Sequence, residues 1–359
     1  MNIILMKSFK DILPNIIKVT LFLGLGLLFV WLSVKDLSED DVNIIFSSMR
    51  LVNNPQGWLF ITLSALSLIG ADTIRSFRAR QMLVTNGYRP RVSMTFYSVM
   101  VCYLANLAVP RLGEILRCTF LQRYENIPFQ KSLGTVILER TIDLVCWLLL
   151  FVIAFSMNTT LLSQIVVNQE TGITLQEWFR SRGMNLIGNH TLFLLMGAFA
   201  LFVAILALTK RFWQNNRFMI KVLGFLKEMW RSFISVKDMK RPWLFLFWTV
   251  AMWVLYFFGT YFFFFSLPYL RHVGPAAAFT VLVFGTIAFM VSQGGLGSYP
   301  LITAGITLLY GISYPQGLAA GWIGWLLQTA VALVIGLLTL AVVPLYQRRD
   351  SQITKENDD

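Results

Sequence analysis

The sequence predicts an all-α polytopic membrane protein with about six full transmembrane helices and two re-entrant hairpins of broken helix. Apolar residues make up 56% of the chain and charged residues only 13%, which is about half the charge of a soluble domain. Several apolar runs reach the roughly 20 residues needed to cross a bilayer. Two other apolar runs are short and end in a Pro or Gly break beside another helical run, which is typical of broken membrane helices.

These runs give the elements in order. The predicted full spans are residues 15–34, 58–77, 132–157, 191–209, 242–267 and 315–346. The first predicted hairpin joins 93–109 to 110–124, and the second joins 275–292 to 301–310. Residues 1–346 are therefore predicted to form a single transmembrane domain, followed by a polar cytoplasmic tail at 347–359. Broken helices in both halves suggest an inverted repeat whose hairpin tips meet near the bilayer middle.

The basic residues indicate how the chain is oriented. The net charge is +12, and this arrangement of spans collects about twenty Lys and Arg on one side against five on the other. Both termini are therefore expected in the cytoplasm. Residues 210–241 carry nine Lys and Arg, with apolar residues every three or four positions, which predicts a basic amphipathic cytoplasmic connector. The first span lacks a cleavage site and is expected to remain as an anchor. Nucleic-acid binding is not expected, because the basic residues flank apolar spans.

The Cys and His residues give no sign of a metal site. The three Cys, at positions 102, 118 and 146, lie in or beside apolar segments, and the two His, at 190 and 272, are isolated. None has the spacing of metal ligands. No metal and no cofactor are expected.

The charged break at residues 106–117 is the strongest candidate for a binding site. Pro110 suits the first turn of a helix. Arg111, Glu114 and Arg117 follow at three-residue steps, so they are predicted to share one helix face beside Asn106. Two arginines and the free amides of a helix N-terminus suit a phosphate. The alternative is an ion-pair network that only fixes the helix.

Further charges occur in two predicted membrane helices. Glu139, Arg140 and Asp143 are close enough to interact and are expected to pair with the arginines of the first hairpin or to face a cavity. They are expected to contact substrate, to support the site from behind or to relay protons. Asp72 and Arg75, three residues apart, are predicted to support the site in the same way.

The second break is rich in glycine. Gly294, Gly295 and Gly297 permit backbone shapes closed to other residues. Ser298 is predicted to cap the following half-helix, with Pro300 in its first turn. Such irregular backbone is tolerated at membrane depth only beside protein or a water-filled cavity. These residues are therefore predicted to line the same cavity as the first break.

Three segments, 109–117, 138–143 and 294–297, together resemble the lysylphosphatidylglycerol synthase transmembrane (flippase-like) family. That family includes the membrane domain of bacterial multiple peptide resistance factors. The resemblance implies a bacterial-type inner-membrane protein that moves lipids between leaflets, with Arg111, Glu114, Arg117, Glu139, Arg140 and Asp143 lining its cavity. Gln293 and Pro300 stand where the family often has Pro and Glu. No aminoacyl-transferase domain follows the last span, so lysyl transfer is not expected.

The leading hypothesis is a lipid translocase, not an enzyme, for an anionic or phosphate-bearing membrane lipid. Arg111 and Arg117 would bind phosphate, while Glu114, Glu139 and Asp143 would balance charge or couple protons. The sequence contains no ATP-binding motif, so transport would be downhill or ion-coupled. One alternative is a membrane enzyme that acts on a lipid-linked phosphate. Another is an accessory subunit of an envelope-lipid system. The oligomeric state is left open, with a homodimer as one alternative.

Overall fold

The computed structural model describes residues 20–21, 23–109, 111–158, 166–168, 173–174, 239 and 241–356. The chain divides into two compact units, which are Met1–Ile137 with Lys240–Asp359, and Leu138–Met239. The described part is helical except for a short ribbon in the second unit, as predicted for an all-α membrane protein. The first unit contains both hairpins.

Ten helices are described, and all but part of one belong to the first unit. They are α1 (Leu23–Val34), α2 (Glu39–Arg50), α3 (Pro55–Thr85), α4 (Val92–Ala108), α5 (Leu112–Glu125), α6 (Phe129–Met157), α7 (Pro242–Ser266), α8 (Gly274–Val291), α9 (Ser298–Leu309) and α10 (Tyr314–Glu356). Short 3₁₀ turns at Pro268–Leu270 and Gln293–Gly295 flank α8.

Helices α3 and α7 form an antiparallel pair at the centre of the first unit. At one end, the Gln81 side chain donates to the Arg241 carbonyl at 2.7 Å. Midway, Ser64 Oγ donates to the Gly259 carbonyl at 2.6 Å. At the opposite end, the rings of Phe60 and Phe265 lie 5.3 Å apart. A small residue at the crossing lets the two backbones approach closely, which is how apolar helices pack in lipid.

Helices α4 and α5 form the first hairpin, as predicted. Its base lies at the Gln81 end of α3, where the Arg80 side chain donates to the Pro90 carbonyl at 2.8 Å. Arg91 closes the base by donating to both carboxylate oxygens of Glu125, at 3.0 Å from its backbone and 2.9 Å from its side chain. At 17 residues, α4 is about 25 Å long. A helix of this length can reach beyond the middle of a hydrocarbon core about 30 Å thick if its base lies at the membrane surface.

Helices α8 and α9 form the second hairpin, whose base lies at the opposite end of α3 and α7. Helix α10 packs against it through two glycines four residues apart. An added Cβ at Gly317 would lie 2.2 Å from Thr307 Oγ1, and one at Gly321 would lie 2.4 Å from Pro300 Cα. This small-xxx-small spacing lets α9 and α10 approach closely. The two hairpins thus enter the first unit from opposite ends, as predicted.

Helix α2 lies in a segment for which the sequence predicts an acidic loop, so that prediction is wrong. Ser38 and Asp41 form a reciprocal cap, in which each accepts a hydrogen bond from the other's backbone amide. The Ser38 hydrogen bonds hold the pKa of Asp41 below its usual value. Ile45 packs on Ala304 and Leu318, so α2 covers the base of the second hairpin. The Ser-x-x-Asp spacing was the signal that could have predicted this helix.

Four of the described helices are long and apolar enough to span a membrane. These are Pro55–Thr85, Pro242–Ser266, Gly274–Val291 and Tyr314–Val343. The first, second and fourth match predicted spans. Gly274–Val291 was predicted to be too short to span, and the chain does turn back after it. The predicted span 191–209, nearly all of the connector 210–241 and the start of the first span lie outside the described residues.

The second unit contains the later part of α6, from Leu138 onward. Trp147 and Phe151 pack one turn apart, with ring centroids 5.4 Å apart. The Asn158 side chain donates to the Ala154 carbonyl at 2.6 Å and terminates the helix. An antiparallel ribbon pairs Val166–Asn168 with Ile173–Thr174.

Candidate functional site

The tip of the first hairpin is a break of three residues between α4 and α5. The sequence predicted that the second half-helix would begin at Pro110, but α5 begins at Leu112. Pro110 itself lies outside the described residues. Arg111 precedes the helix with φ 66° and ψ 3°, in the left-handed region. That conformation costs a non-glycine residue about 1–2 kcal/mol, so the tip stores backbone strain at an arginine.

Asn106 holds the break together. Its side-chain oxygen accepts a hydrogen bond from the Gly113 amide at 2.8 Å, and its side-chain nitrogen lies 3.5 Å from Glu114 Oε1. Asn106 therefore caps α5 from the preceding helix, satisfying one of the amides that a helix N-terminus leaves free. An added Cβ at Gly113 would lie 2.0 Å from the Cys102 carbonyl oxygen. Only glycine allows this close approach of α5 to α4.

The three charged residues of the tip occupy different environments. Glu114 and Arg117 lie on α5, where Glu114 is half-buried in the first turn and Arg117 is 3% exposed. Arg111 precedes α5 and is exposed, so the prediction that all three share one helix face is wrong. The left-handed turn at Arg111 removes it from the helical register. Within the described part of the chain, no side chain pairs with the Arg111 guanidinium.

The glycines at the tip of the second hairpin adopt the unusual backbone conformations predicted for them, while their lining of a substrate cavity stays a prediction. Gly294, Gly295 and Gly297 have φ values of 58°, 77° and 70°. The predicted Ser298 cap is wrong, because Gly297 occupies the cap position and Ser298 is the first helical residue. The Ser298 hydroxyl instead lies 2.5 Å from Ser292 Oγ and 3.0 Å from the carbonyl of Ala288. It therefore ties α9 back to α8 across the break.

The two tips meet, as predicted. The Gln293 amide nitrogen donates to the carbonyls of Leu107 and Ala108, at 2.9 and 2.6 Å. These carbonyls belong to the last turn of α4, whose acceptors have no partner within the helix. Trp325 of α10 donates to the Gly294 carbonyl at 2.8 Å. In the sequence, Gln293 stood out only as a departure from the family that the chain resembles, and the role of Trp325 was missed, since neither contact has a signature in sequence spacing.

A buried carboxyl lies close to the first hairpin. Asp72 on α3 is 8% exposed and accepts a hydrogen bond from the Tyr256 hydroxyl of α7 at 2.8 Å. The Tyr256 hydroxyl lies 3.5 Å from that of Tyr103 on α4. Arg75 attracts Asp72 electrostatically, in agreement with the predicted interaction between them. The two tyrosines were missed, because in sequence they are ordinary members of apolar helices.

The charges of α6 belong to the second unit. Glu139, Arg140 and Asp143 all lie on the helix, as predicted, and Glu139 is 1% exposed. Their predicted contacts with the arginines of the first hairpin stay a prediction. Across the described residues, no group of His, Cys, Asp and Glu is arranged to hold a metal ion.

Comparison with known proteins identifies the family. The profile described as "Lysylphosphatidylglycerol synthase TM region" matches residues 15–336. A search of curated proteins and a search of solved structures gave no match. The matched region includes both hairpins and every candidate residue above, and it associates this multi-pass membrane protein with lipid handling. The chain belongs to the lysylphosphatidylglycerol synthase transmembrane family.

Proposed function

We propose that this protein is a lipid translocase that moves a phosphate-bearing lipid headgroup between leaflets, past the meeting tips of its two hairpins. The acyl chains would stay in the bilayer while the headgroup crosses beside the protein. Arg111 is the observation that carries this proposal. It is exposed at the tip of a hairpin whose first helix is long enough to pass the middle of the bilayer, and no described side chain pairs with it.

The physical argument starts from the cost of that arginine. A charged side chain at membrane depth costs about 3 kcal/mol on insertion scales, and such residues face a cavity or a pathway. Its left-handed backbone adds about 1–2 kcal/mol. A glycine at this position would avoid both costs. We therefore attribute the arginine to a ligand that its side chain binds. A guanidinium binds phosphate through two parallel hydrogen bonds, which makes a phosphate the best match.

The rest of the tip fits the same ligand. The first amides of α5 carry partial positive charge next to Arg111. The Gly113 amide donates to Asn106 and the Leu112 amide donates to the Val109 carbonyl, so this partial charge would act on a ligand at Arg111 from a short distance. Glu114 lies in the same turn and limits the positive charge when the site is empty.

The test is lipid movement in liposomes that contain the purified protein. A fluorescent phospholipid is placed in both leaflets, and a membrane-impermeant reductant bleaches the outer one. Wild-type protein is expected to expose the inner-leaflet lipid to bleaching. Arg111→Gly should lower the rate roughly 10- to 100-fold, because a hydrogen bond to a charged group contributes about 1.5–3 kcal/mol.

Asn126→Gly is the matched control. Asn126 has φ 53° and is the other described non-glycine residue in the left-handed region, at the base of the same hairpin. It relieves the same backbone strain without removing a charge, so it should transport at the wild-type rate. Equal rates for Arg111→Gly and wild type would disprove the assignment of Arg111. A chemically altered lipid product would favour the membrane-enzyme alternative.

A further inference from the structure

A chain of three polar side chains connects helices α3, α7 and α4 in the first unit. Asp72 accepts from the Tyr256 hydroxyl at 2.8 Å, and that hydroxyl lies 3.5 Å from the Tyr103 hydroxyl. The headgroup path proposed above uses none of these groups. A buried carboxyl in a membrane helix is costly and is typical of a residue that binds an ion or a proton.

The titratable neighbours described for Asp72 are few. In the described part of the first unit, the titratable groups that face it are Arg75 on its own helix, Tyr256 on α7 and Tyr103 on α4. Helix α10 also packs on α3, but its spanning segment Tyr314–Val343 carries no acidic or basic side chain. A single proton on Asp72 therefore changes the charge that Tyr256 and Arg75 meet.

The chain ends on the hairpin that carries Arg111. Tyr103 lies on α4 three residues before Asn106, so the two side chains are one turn apart on the same helix. Asn106 in turn holds the start of α5 through Gly113. A change in the charge of Asp72 is thus two hydrogen bonds away from helix α4, which supports the first tip. On the other side, α3 and α7 are fixed to each other by the contacts of Ser64 and Phe60.

We propose that Asp72 is the proton-binding site that couples lipid movement to a proton gradient. When Asp72 is ionised, Tyr256 donates a charge-assisted hydrogen bond to it and the chain to Tyr103 is held. Uptake of one proton on the carboxylate neutralises it and weakens that hydrogen bond, since charge-assisted bonds are roughly twice as strong as neutral ones. Helix α4 is then held less firmly, and release of the proton to the opposite side restores the link.

This inference rests on the proposed function, since it names the ion that the translocase would use. A purely structural anchor would also be damaged by substitution, so stability alone does not distinguish the two roles. The distinguishing readout is the response of lipid movement to an imposed pH gradient. A structural anchor changes the basal rate and leaves that response intact.

The experiment uses the liposome assay with the pH set separately inside and outside. The wild-type rate should differ between gradient and no gradient by roughly tenfold, within the range of linked binding sites. Asp72→Asn, which is fixed in the neutral state, should still move lipid but show no response to the gradient. Tyr256→Phe should respond weakly, and it serves as the second variant if Asp72→Asn does not fold.

Tyr261→Phe is the matched control. Tyr261 lies on α7 and stacks on Phe257 at 5.6 Å, away from Asp72, so its variant should keep the full response. A gradient response in Asp72→Asn, or a response of full wild-type size in Tyr256→Phe, would overturn the inference. So would a wild-type protein that moves lipid at a rate independent of the gradient, and the proposed function would survive both results. A wild-type protein that moves no lipid would instead overturn the proposed function itself.

Discussion

The two hairpin tips both contain left-handed backbone, but they place different kinds of residue there. Each tip reverses the chain inside the first unit, and the reversal needs backbone conformations that an α-helix does not contain. The first tip does so with Arg111 in a left-handed conformation that disfavours its side chain. The second uses three glycines, for which that conformation has no steric cost. The first tip thus has a charged side chain at a strained backbone position, whereas the second has glycines, which carry no side chain, at such positions.

What surrounds each tip explains the difference. Around Gly297, the backbone of α1 lies so close that an added Cβ would be 2.5 Å from the Val30 amide nitrogen. Gly294 accepts from Trp325, and Gln293 reaches across to α4. The second tip is therefore a packed joint between helices. The Arg111 side chain is exposed and pairs with no described carboxylate, which is why we assign ligand binding to the first tip.

The largest expected effect on stability comes from disrupting the packing of the second tip against α1. Gly297→Ala should destabilise the protein by about 3 kcal/mol or more, because a methyl group must displace the α1 backbone. Gly311→Ala is the control: Gly311 has φ 83°, but an added Cβ would meet nothing within 4 Å. It should lose only about 1 kcal/mol, from backbone strain alone. Thermal unfolding in detergent measures both, and similar losses would mean that α1 does not constrain the second tip.

The next effect concerns the contact between the tips. Gln293→Met keeps the approximate size of the side chain and removes the donor to Leu107 and Ala108. Leaving those carbonyls without a partner should destabilise the protein by about 2 kcal/mol. Lipid movement should persist, because Gln293 contacts the protein and not the headgroup. Abolished transport in a stable Gln293→Met protein would mean that the second tip also binds lipid.

A smaller effect on stability is expected at the first tip. Arg111→Gly should leave thermal stability unchanged or raise it by up to about 1 kcal/mol, because glycine relieves the left-handed strain. The transport assay should show the opposite trend, a large loss. A marked fall in thermal stability would instead indicate that Arg111 holds the two hairpins together.

The smallest effect lies outside both tips, in the cap of α2. The pKa of Asp41 is lowered by its hydrogen bonds with Ser38, so the ionised carboxyl is favoured in the folded state. Its contribution is present above the usual carboxyl pKa of about 3.9 and is lost as the pH falls through the lower folded value. Ser38→Ala should remove this part of the acid dependence of stability. An unchanged acid dependence in that variant would show that the cap does not contribute, and transport should not change.

The fold was largely predictable from the sequence, because the length and polarity of each apolar run are local properties. The glycine break and the meeting of the tips followed from where Pro and Gly interrupt those runs. The start of α5 and the cap of α9 were predicted wrongly, since helix signals cannot register left-handed turns at Arg111 and Gly297. The partners Tyr256 and Trp325 were missed because each lies far along the chain from the group that it contacts.

The central claim is that Arg111 binds a lipid phosphate and that the second tip does not. A cryo-EM structure of the protein in nanodiscs of phosphate-bearing lipid tests it most directly. We expect headgroup density at the first tip, with a phosphate oxygen within about 3 Å of the Arg111 guanidinium. An Arg111 side chain paired with a protein carboxylate, with no headgroup density between the tips, would contradict the account.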